Sequence, residues 1–187
     1  MKKKLAVFDL DGTLFDTTRV NFLSYEKVLR RRGYQPDFSF FRSKCFGHDF
    51  GYFGPLLAPG ADAEELRAIH QEKKECYGAF LGEAVKNDHL FHLLHLMRKA
   101  YHTALVTAGS KENSRQILRY FGEEAAFDLI LSAEDVPRPK PDPSGFLLAM
   151  NRFQAAPQDT IIFEDSPAGI AAAQASGAHL FVVKGYN

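Results

Sequence analysis

The chain is short of every feature that marks an oxidising or membrane environment. It has two cysteines, Cys45 and Cys76, with no metal-type spacing around either. That excludes a disulfide framework and a thiolate metal centre, and both read as small buried or half-buried thiols. No apolar stretch approaches a membrane span. The basic start, Met1-Lys2-Lys3-Lys4, leads into an apolar segment that stops at Asp9, too short for the hydrophobic part of a secretion signal. The cytoplasm is the expected compartment. There is no excess charge either: 23 Lys and Arg stand against 23 Asp and Glu. A nucleic-acid surface or polyanion patch is not expected from that balance, although a local arrangement can still hold a phosphate ester. Internal repeats and low-complexity segments are absent.

What is present suffices for a sizeable core. At 187 residues, 45% of them hydrophobic, the chain can form one large domain or a core with a smaller attachment. It is organised around Ala6-Val7-Phe8-Asp9-Leu10-Asp11-Gly12-Thr13-Leu14-Phe15-Asp16. A short apolar run bounded by turn residues reads as a strand buried on both faces. Asp9 and Asp11 are two positions apart, so on an extended chain both carboxylates can share one space at the strand's end. Gly12 then permits a sharp turn. Alone, the fragment reads equally well as an Asp-rich turn.

A helix is expected over residues 17–32, ending at Gly33, with Val20, Leu23, Val28 and Leu29 as its stripe. Residues 34–60, rich in Phe, Gly and Pro, suggest short helices around a local aromatic core. Arg42, Lys44 and His48 lie within it as polar groups able to face a substrate. Asp62 caps a helix expected to run to about residue 81. Asn87 or Asp88 opens another, with Leu90, Leu93, Leu94 and Met97 buried and His92 and His95 on a solvated stripe rather than in a metal site. From there strands and helices alternate. Strands are expected at 103–107, 127–131, 160–163 and 180–183, with helices at 111–121, 144–153 and 168–175. Ser166-Pro167 caps the last helix. Alternation of this kind implies a parallel α/β sheet with helices on its faces.

In such sheets the ligand site lies beyond the carboxyl ends of the strands. Asp9 and Asp11 stand there, as do Thr107 with Ala108 and Gly109, and Glu164 with Asp165. Lys140 joins them from a loop stiffened by Pro137, Pro139, Pro141 and Pro143. Converging carboxylates repel each other and require a cation. An all-oxygen set points to Mg²⁺ over zinc. Thr107, the backbone N–H groups at a helix entrance and the Lys140 ammonium supply complementary donors. Carboxylates with Mg²⁺ facing donors with lysine describe a phosphoryl site.

Asp9-Leu10-Asp11-Gly12-Thr13-Leu14-Phe15-Asp16 resembles the first motif of the haloacid dehalogenase superfamily. Val106-Thr107-Ala108-Gly109-Ser110 resembles the second, Lys140-Pro141-Asp142-Pro143 the third, and Phe163-Glu164-Asp165-Ser166-Pro167-Ala168-Gly169-Ile170 the fourth. The branch it most resembles contains β-phosphoglucomutase and phosphoglycolate phosphatase. The resemblance implies a Rossmann-like five-stranded parallel sheet with helices on both faces, formed by residues 1–15 and 84–187. Residues 16–83 would form an inserted helical cap.

It also implies roles. Asp9 would be the nucleophile forming an aspartyl-phosphate, and Asp11 the general acid and then base. Thr107, Ala108 and Lys140 would hold phosphate oxygens, with Arg42, Lys44 and His48 as cap contacts to substrate. Mg²⁺ would sit on the Asp9 carboxylate, the Asp11 carbonyl and Asp165, with Glu164 ligating or supporting. The implied activity is a Mg²⁺-dependent phosphatase for a small phosphorylated metabolite, acting as a monomer or weak homodimer. A phosphosugar mutase is the alternative; mutase relatives carry a histidine where this chain has Asn21. Dehalogenase relatives lack the second aspartate, which is present here as Asp11. A silent binding protein is the reading of another class, although every side chain the chemistry needs is present.

Overall fold

The computed structural model describes residues 4–185. It divides into two compact units: the chain up to Asp16 together with Val85 onwards, and Thr17–Ala84.

The first unit is built on five strands: β1 (Lys4–Phe8), β4 (Tyr101–Val106), β5 (Leu129–Leu131), β6 (Thr160–Glu164) and β7 (His179–Val182). Two very short strands, β2 (Phe15–Asp16) and β3 (Val85–Lys86), pair antiparallel beside them. The five-stranded sheet has the order β5-β4-β1-β6-β7 and is parallel throughout. Strands before and after β1 in this order are reached by crossovers in opposite directions. The crevice at the end of β1 is therefore a topological switch point, where such sheets place their ligands.

β1 is central because both of its faces are apolar. Leu5 and Val7 share one face with Ala104, Val106 and Ile162, packed against Phe146, Ala149 and Met150 of α7 (Ser144–Phe153) and Ala172 and Ala173 of α8 (Pro167–Ser176). Ala6 and Phe8 point the other way and are equally buried. Phe8 stacks on Phe163, its register partner, with centroids 4.6 Å apart. The same ladder continues one residue further, with Asp9 N donating to Phe163 O at 3.0 Å. The first aspartate is thus fixed by the sheet itself.

Besides α7, β4 packs against α5 (Asp88–Met97), and α6 (Lys111–Tyr120) follows the strand. The buried face of α5 is Leu90, Phe91 and Leu94; Leu93 and Leu96 are exposed. That corrects the expected face of Leu90, Leu93, Leu94 and Met97. Helical spacing alone leaves the rotation open, and the Phe91 ring settles it by packing on Phe15 at 5.2 Å. His89, His92 and His95 are all exposed, as expected for a solvated stripe, and His95 also pairs with Glu123 at 3.0 Å. The expected strand at 127–131 is shorter, because a 3₁₀ turn at Glu124–Ala126 precedes it.

The second unit is helical: α1 (Thr18–Arg31), α2 (Phe38–Lys44), α3 (Phe50–Leu57), α4 (Ala63–Cys76) and a 3₁₀ segment, Tyr77–Glu83. The helix expected to reach 81 therefore changes pitch after Cys76. Asp37, Asp49 and Asp62 cap α2, α3 and α4, each accepting from backbone N–H groups of the first turn. Gly33, at φ +85°, closes α1. The core of this unit is Phe22, Tyr25, Val28, Leu29, Phe41, Phe53, Leu57 and Ile69, with Cys45 buried among them.

Polar groups border that core, His70 among them. His70 shares a hydrogen bond with the Tyr25 hydroxyl, Nδ1 to Oη 2.9 Å, and stacks on Phe50 at 4.5 Å. Burial, with Lys74 and Lys73 nearby, pushes its pKa down from 6.5 to about 4. A histidine lowered in the folded state stabilises fully above its unfolded pKa, and that contribution fades as pH falls. Denaturant unfolding followed against pH is therefore expected to show wild-type stability declining from about 6.5 towards about 4, with a shallower decline in His70→Gln.

Candidate functional site

The residues at the strand ends form one cluster within the sheet unit. Lys140 Nζ donates to Asp9 Oδ1 and to Glu164 Oε1, both at 2.6 Å. All three side chains are nearly dry: 10% exposed for Lys140, 8% for Asp9 and 0% for Glu164. The second Glu164 oxygen accepts from Asp165 N and Ser166 N at 2.8 Å and from Ser166 Oγ at 3.0 Å. Both oxygens of Glu164 are therefore engaged, which suits it to steadying Lys140.

Asp165 is set by the loop after β1. Thr13 Oγ1 donates to Asp165 Oδ1 at 2.7 Å. Gly12 sits beside it at φ +92°, and a Cβ there would lie 2.1 Å from Asp165 Oδ2. Glycine is thus required twice, for its backbone angle and for the space the carboxylate fills. Thr13 and Ser166 hold two carboxylates of this cluster, yet the sequence showed them only as members of a motif and as a helix cap.

The donors lie at the end of β4. Thr107 is buried, and its Oγ1 accepts from Gly109 N at 2.9 Å. Ala108 is exposed, and its N–H has no partner among the described residues. α6 begins just beyond, capped by Ser110, so its N-terminal partial charge points into the same region. Asp11 is half-buried; its Oδ2 and Thr107 Oγ1 flank Gly109, 3.4 and 3.3 Å from where a Cβ would stand. A cavity of about 340 Å³ opens beside Thr107, Ala108 and Lys140, with Arg138, Pro139 and Phe146 in its wall. The proline loop is anchored by Asp142, which accepts from Ser144 N at 2.9 Å and pairs with Arg138 at 3.1 Å. Arg42, Lys44 and His48 belong to the helical unit and are exposed there, with the His48 ring 4.9 Å from that of Tyr52.

The electrostatics show that this cluster is short of positive charge. Oxygen atoms of Asp9, Glu164 and Asp165 lie within 4.8 Å of one another. Burial holds the Asp9 carboxyl well above the usual range, against the opposing pull of Lys140 and with Glu164 and Asp165 adding to the rise. Burial also pushes Asp165 up to about 6, the Thr13 hydrogen bond opposing it and Glu164 adding to it. Burial alone would lower Lys140, but the Asp9 and Glu164 carboxylates outweigh it and hold the ammonium above its ordinary value. One lysine thus serves three carboxylates. A hard divalent cation with oxygen ligands fits the remaining deficit, with Asp9 and Asp165 as the side chains to hold it.

Gly12→Ala is expected to remain folded but to lose at least about 1 kcal/mol of stability, and to displace Asp165. Thermal unfolding with and without millimolar Mg²⁺ checks this: the midpoint should rise with Mg²⁺ in the wild type and stay unmoved in the variant.

The chain is similar to known proteins over nearly all its length. It is 33% identical over 183 residues to validoxylamine A 7'-phosphate phosphatase of Streptomyces hygroscopicus subsp. limoneus, covering 93% of this chain and 82% of that protein. It is 32% identical over 188 residues to hexitol phosphatase A of Escherichia coli, covering 98% and 84%. Among solved structures, CbbY of Rhodobacter sphaeroides in complex with phosphate shares the fold, with a TM-score of 0.85 at 23% identity, covering 100% of this chain and 88% of that one. The model of the haloacid dehalogenase-like hydrolases matches residues 6–183, and with the switch-point carboxylates and the lysine beside them already in place, the chain belongs to that family.

Proposed function

We propose that the protein is a Mg²⁺-dependent phosphatase acting on a small phosphorylated metabolite through an aspartyl-phosphate. The observation that carries this reading is the Lys140 ammonium held between Asp9 and Glu164, beside Asp165 and facing the donors at Thr107 and Ala108. Two of the phosphatases it resembles at over 30% identity are named for validoxylamine A 7'-phosphate and for hexitol, which supports a sugar or polyol phosphate as the class to test first, ahead of the pyrophosphate named for a third relative at 31%.

Lys140 occupies one oxygen of Asp9 and leaves Oδ2 for attack on phosphorus. The ester P–O bond breaks as the Asp9–phosphorus bond forms, and Asp11 gives its proton to the departing alcohol oxygen. Asp11 then takes a proton from water, which attacks the aspartyl-phosphate and releases inorganic phosphate with Asp9 restored. Lys140, the Thr107 hydroxyl and the Ala108 N–H hold the transferring oxygens through both displacements. Mg²⁺ bound by Asp9, Asp165 and the Asp11 carbonyl would offset the phosphate charge that otherwise repels an anionic nucleophile. The helical unit, Thr17–Ala84, would serve as the cap that excludes water and selects substrate, with Arg42, Lys44 and His48 as its contacts.

A phosphosugar mutase is the second enzymatic reading, and Asn21 weighs against it. Its Oδ1 accepts from Lys73 and its Nδ2 donates to Thr17, so this position offers a structural bracket with no proton to relay.

Turnover of p-nitrophenyl phosphate and acetyl phosphate, followed with and without Mg²⁺, tests the reading. Activity is expected only with the cation. Asp9→Asn should lower it by about a thousandfold or more, and Asp11→Asn by about 10²–10⁴-fold. Activity that survives in Asp9→Asn would sink the proposal, and interconversion of sugar phosphate isomers would favour the mutase.

A further inference from the structure

Asn87 is the first residue after β3 and the N-cap of α5, and the mechanism above gives it no part. Its side chain is buried, and both ends of its amide are used. Oδ1 accepts from Leu90 N at 3.1 Å, the ordinary capping bond. Nδ2 donates to the Thr13 carbonyl at 3.1 Å, and the Asn87 backbone N–H donates to the Leu14 carbonyl at 2.9 Å. Two consecutive carbonyls of the loop after β1 are thus held by one distant residue. Only one amide orientation satisfies both Leu90 N–H and Thr13 C=O.

Capping requires only an oxygen, and Ser or Asp would supply it about as well. Among the good cap residues, asparagine alone carries an N–H₂ group for a carbonyl on the same side chain. The extra bond falls on Thr13, whose hydroxyl aims Asp165, next to Gly12, against which the Asp165 carboxylate packs. We propose that Asn87 is a positioning residue for the cation-binding face. By fixing the Thr13 peptide it fixes the direction of the Thr13 hydroxyl, and through that the Asp165 carboxylate. It touches neither substrate nor cation. The kinetic part of this inference rests on the phosphatase reading; the cation-binding part does not.

Asn87→Ser and Asn87→Asp keep the cap and remove the donor to Thr13. Three measurements follow: the unfolding midpoint, Mn²⁺ binding from loss of the free-ion EPR signal, and kcat and KM on p-nitrophenyl phosphate. Both variants are expected to stay folded with a lowered midpoint, Asn87→Asp more so, because the buried Thr13 carbonyl loses its donor, and to bind Mn²⁺ about tenfold more weakly. Their kcat should fall by about tenfold with KM little changed, as expected for loss of an outer hydrogen bond to a ligand. Combined with Thr13→Val, Asn87→Ser should add little to the loss from Thr13→Val alone, because both act through one hydroxyl. Wild-type Mn²⁺ affinity in both variants, additive losses in the double variant, or wholesale unfolding despite the retained cap would each overturn the proposal. A wild type that binds Mn²⁺ but turns over no phosphate ester would sink the phosphatase reading and leave this one standing.

Discussion

The Lys140 ammonium, drawn between two dry carboxylates, is the contact on which the rest depends. A buried charge is tolerable only with opposite charge in contact and its remaining hydrogen bonds met. Lys140 has both Asp9 and Glu164 at 2.6 Å, and Glu164 is braced in turn by the backbone of its own loop. Replacing Lys140 with a neutral residue would strand two buried anions. Replacing Glu164 would free the lysine to move away from Asp9. The three groups are therefore bound to one another, and none can be changed without disturbing the burial of the other two.

That contact is possible because of where the sheet places its strand ends. β1 and β6 run side by side in register, so Asp9 and Glu164 emerge together, one from each side of the switch point. Stacking of Phe8 on Phe163 directly beneath them leaves little freedom for relative slip. The loop after β1 then turns through Gly12 and returns the Thr13 hydroxyl to Asp165, so the second acidic position is aimed from the strand that carries the first. Hydrogen-bond donors arrive separately, at the end of β4 and from the proline loop. The clustered carboxylates and most of the hydrogen-bond donors thus come from different elements.

Much of the fold could be read in the chain because burial on both faces leaves a plain mark. Ala6-Val7-Phe8, Ala104-Leu105-Val106 and Ile161-Ile162-Phe163 are unbroken apolar runs, and each is followed within two residues by polar groups. What escaped was of two kinds. The two-residue strands at Phe15–Asp16 and Val85–Lys86 are too short to show any period. The rotation of α5, with Phe91 inside and Leu93 outside, depends on a ring packing against Phe15, which spacing within one helix does not encode. Partnerships were hidden for a similar reason. Lys140 and Glu164 could each be placed near a strand end, but that one steadies the other depends on a contact between segments that neither local sequence encodes. Asn87 read as an ordinary helix start because its second hydrogen bond reaches across most of the first half of the sequence.

The short antiparallel ribbon has a consequence for how this protein can vary. Asp16 pairs with Val85, so the chain leaves the sheet unit and re-enters it at adjacent positions. Everything between is, to the sheet, one closed loop whose ends are already tied. Lengthening such a loop is cheap: doubling it costs only about 0.6 kcal/mol in closure entropy. The intervening segment can therefore be enlarged, trimmed or exchanged like a cassette while the sheet keeps its threading.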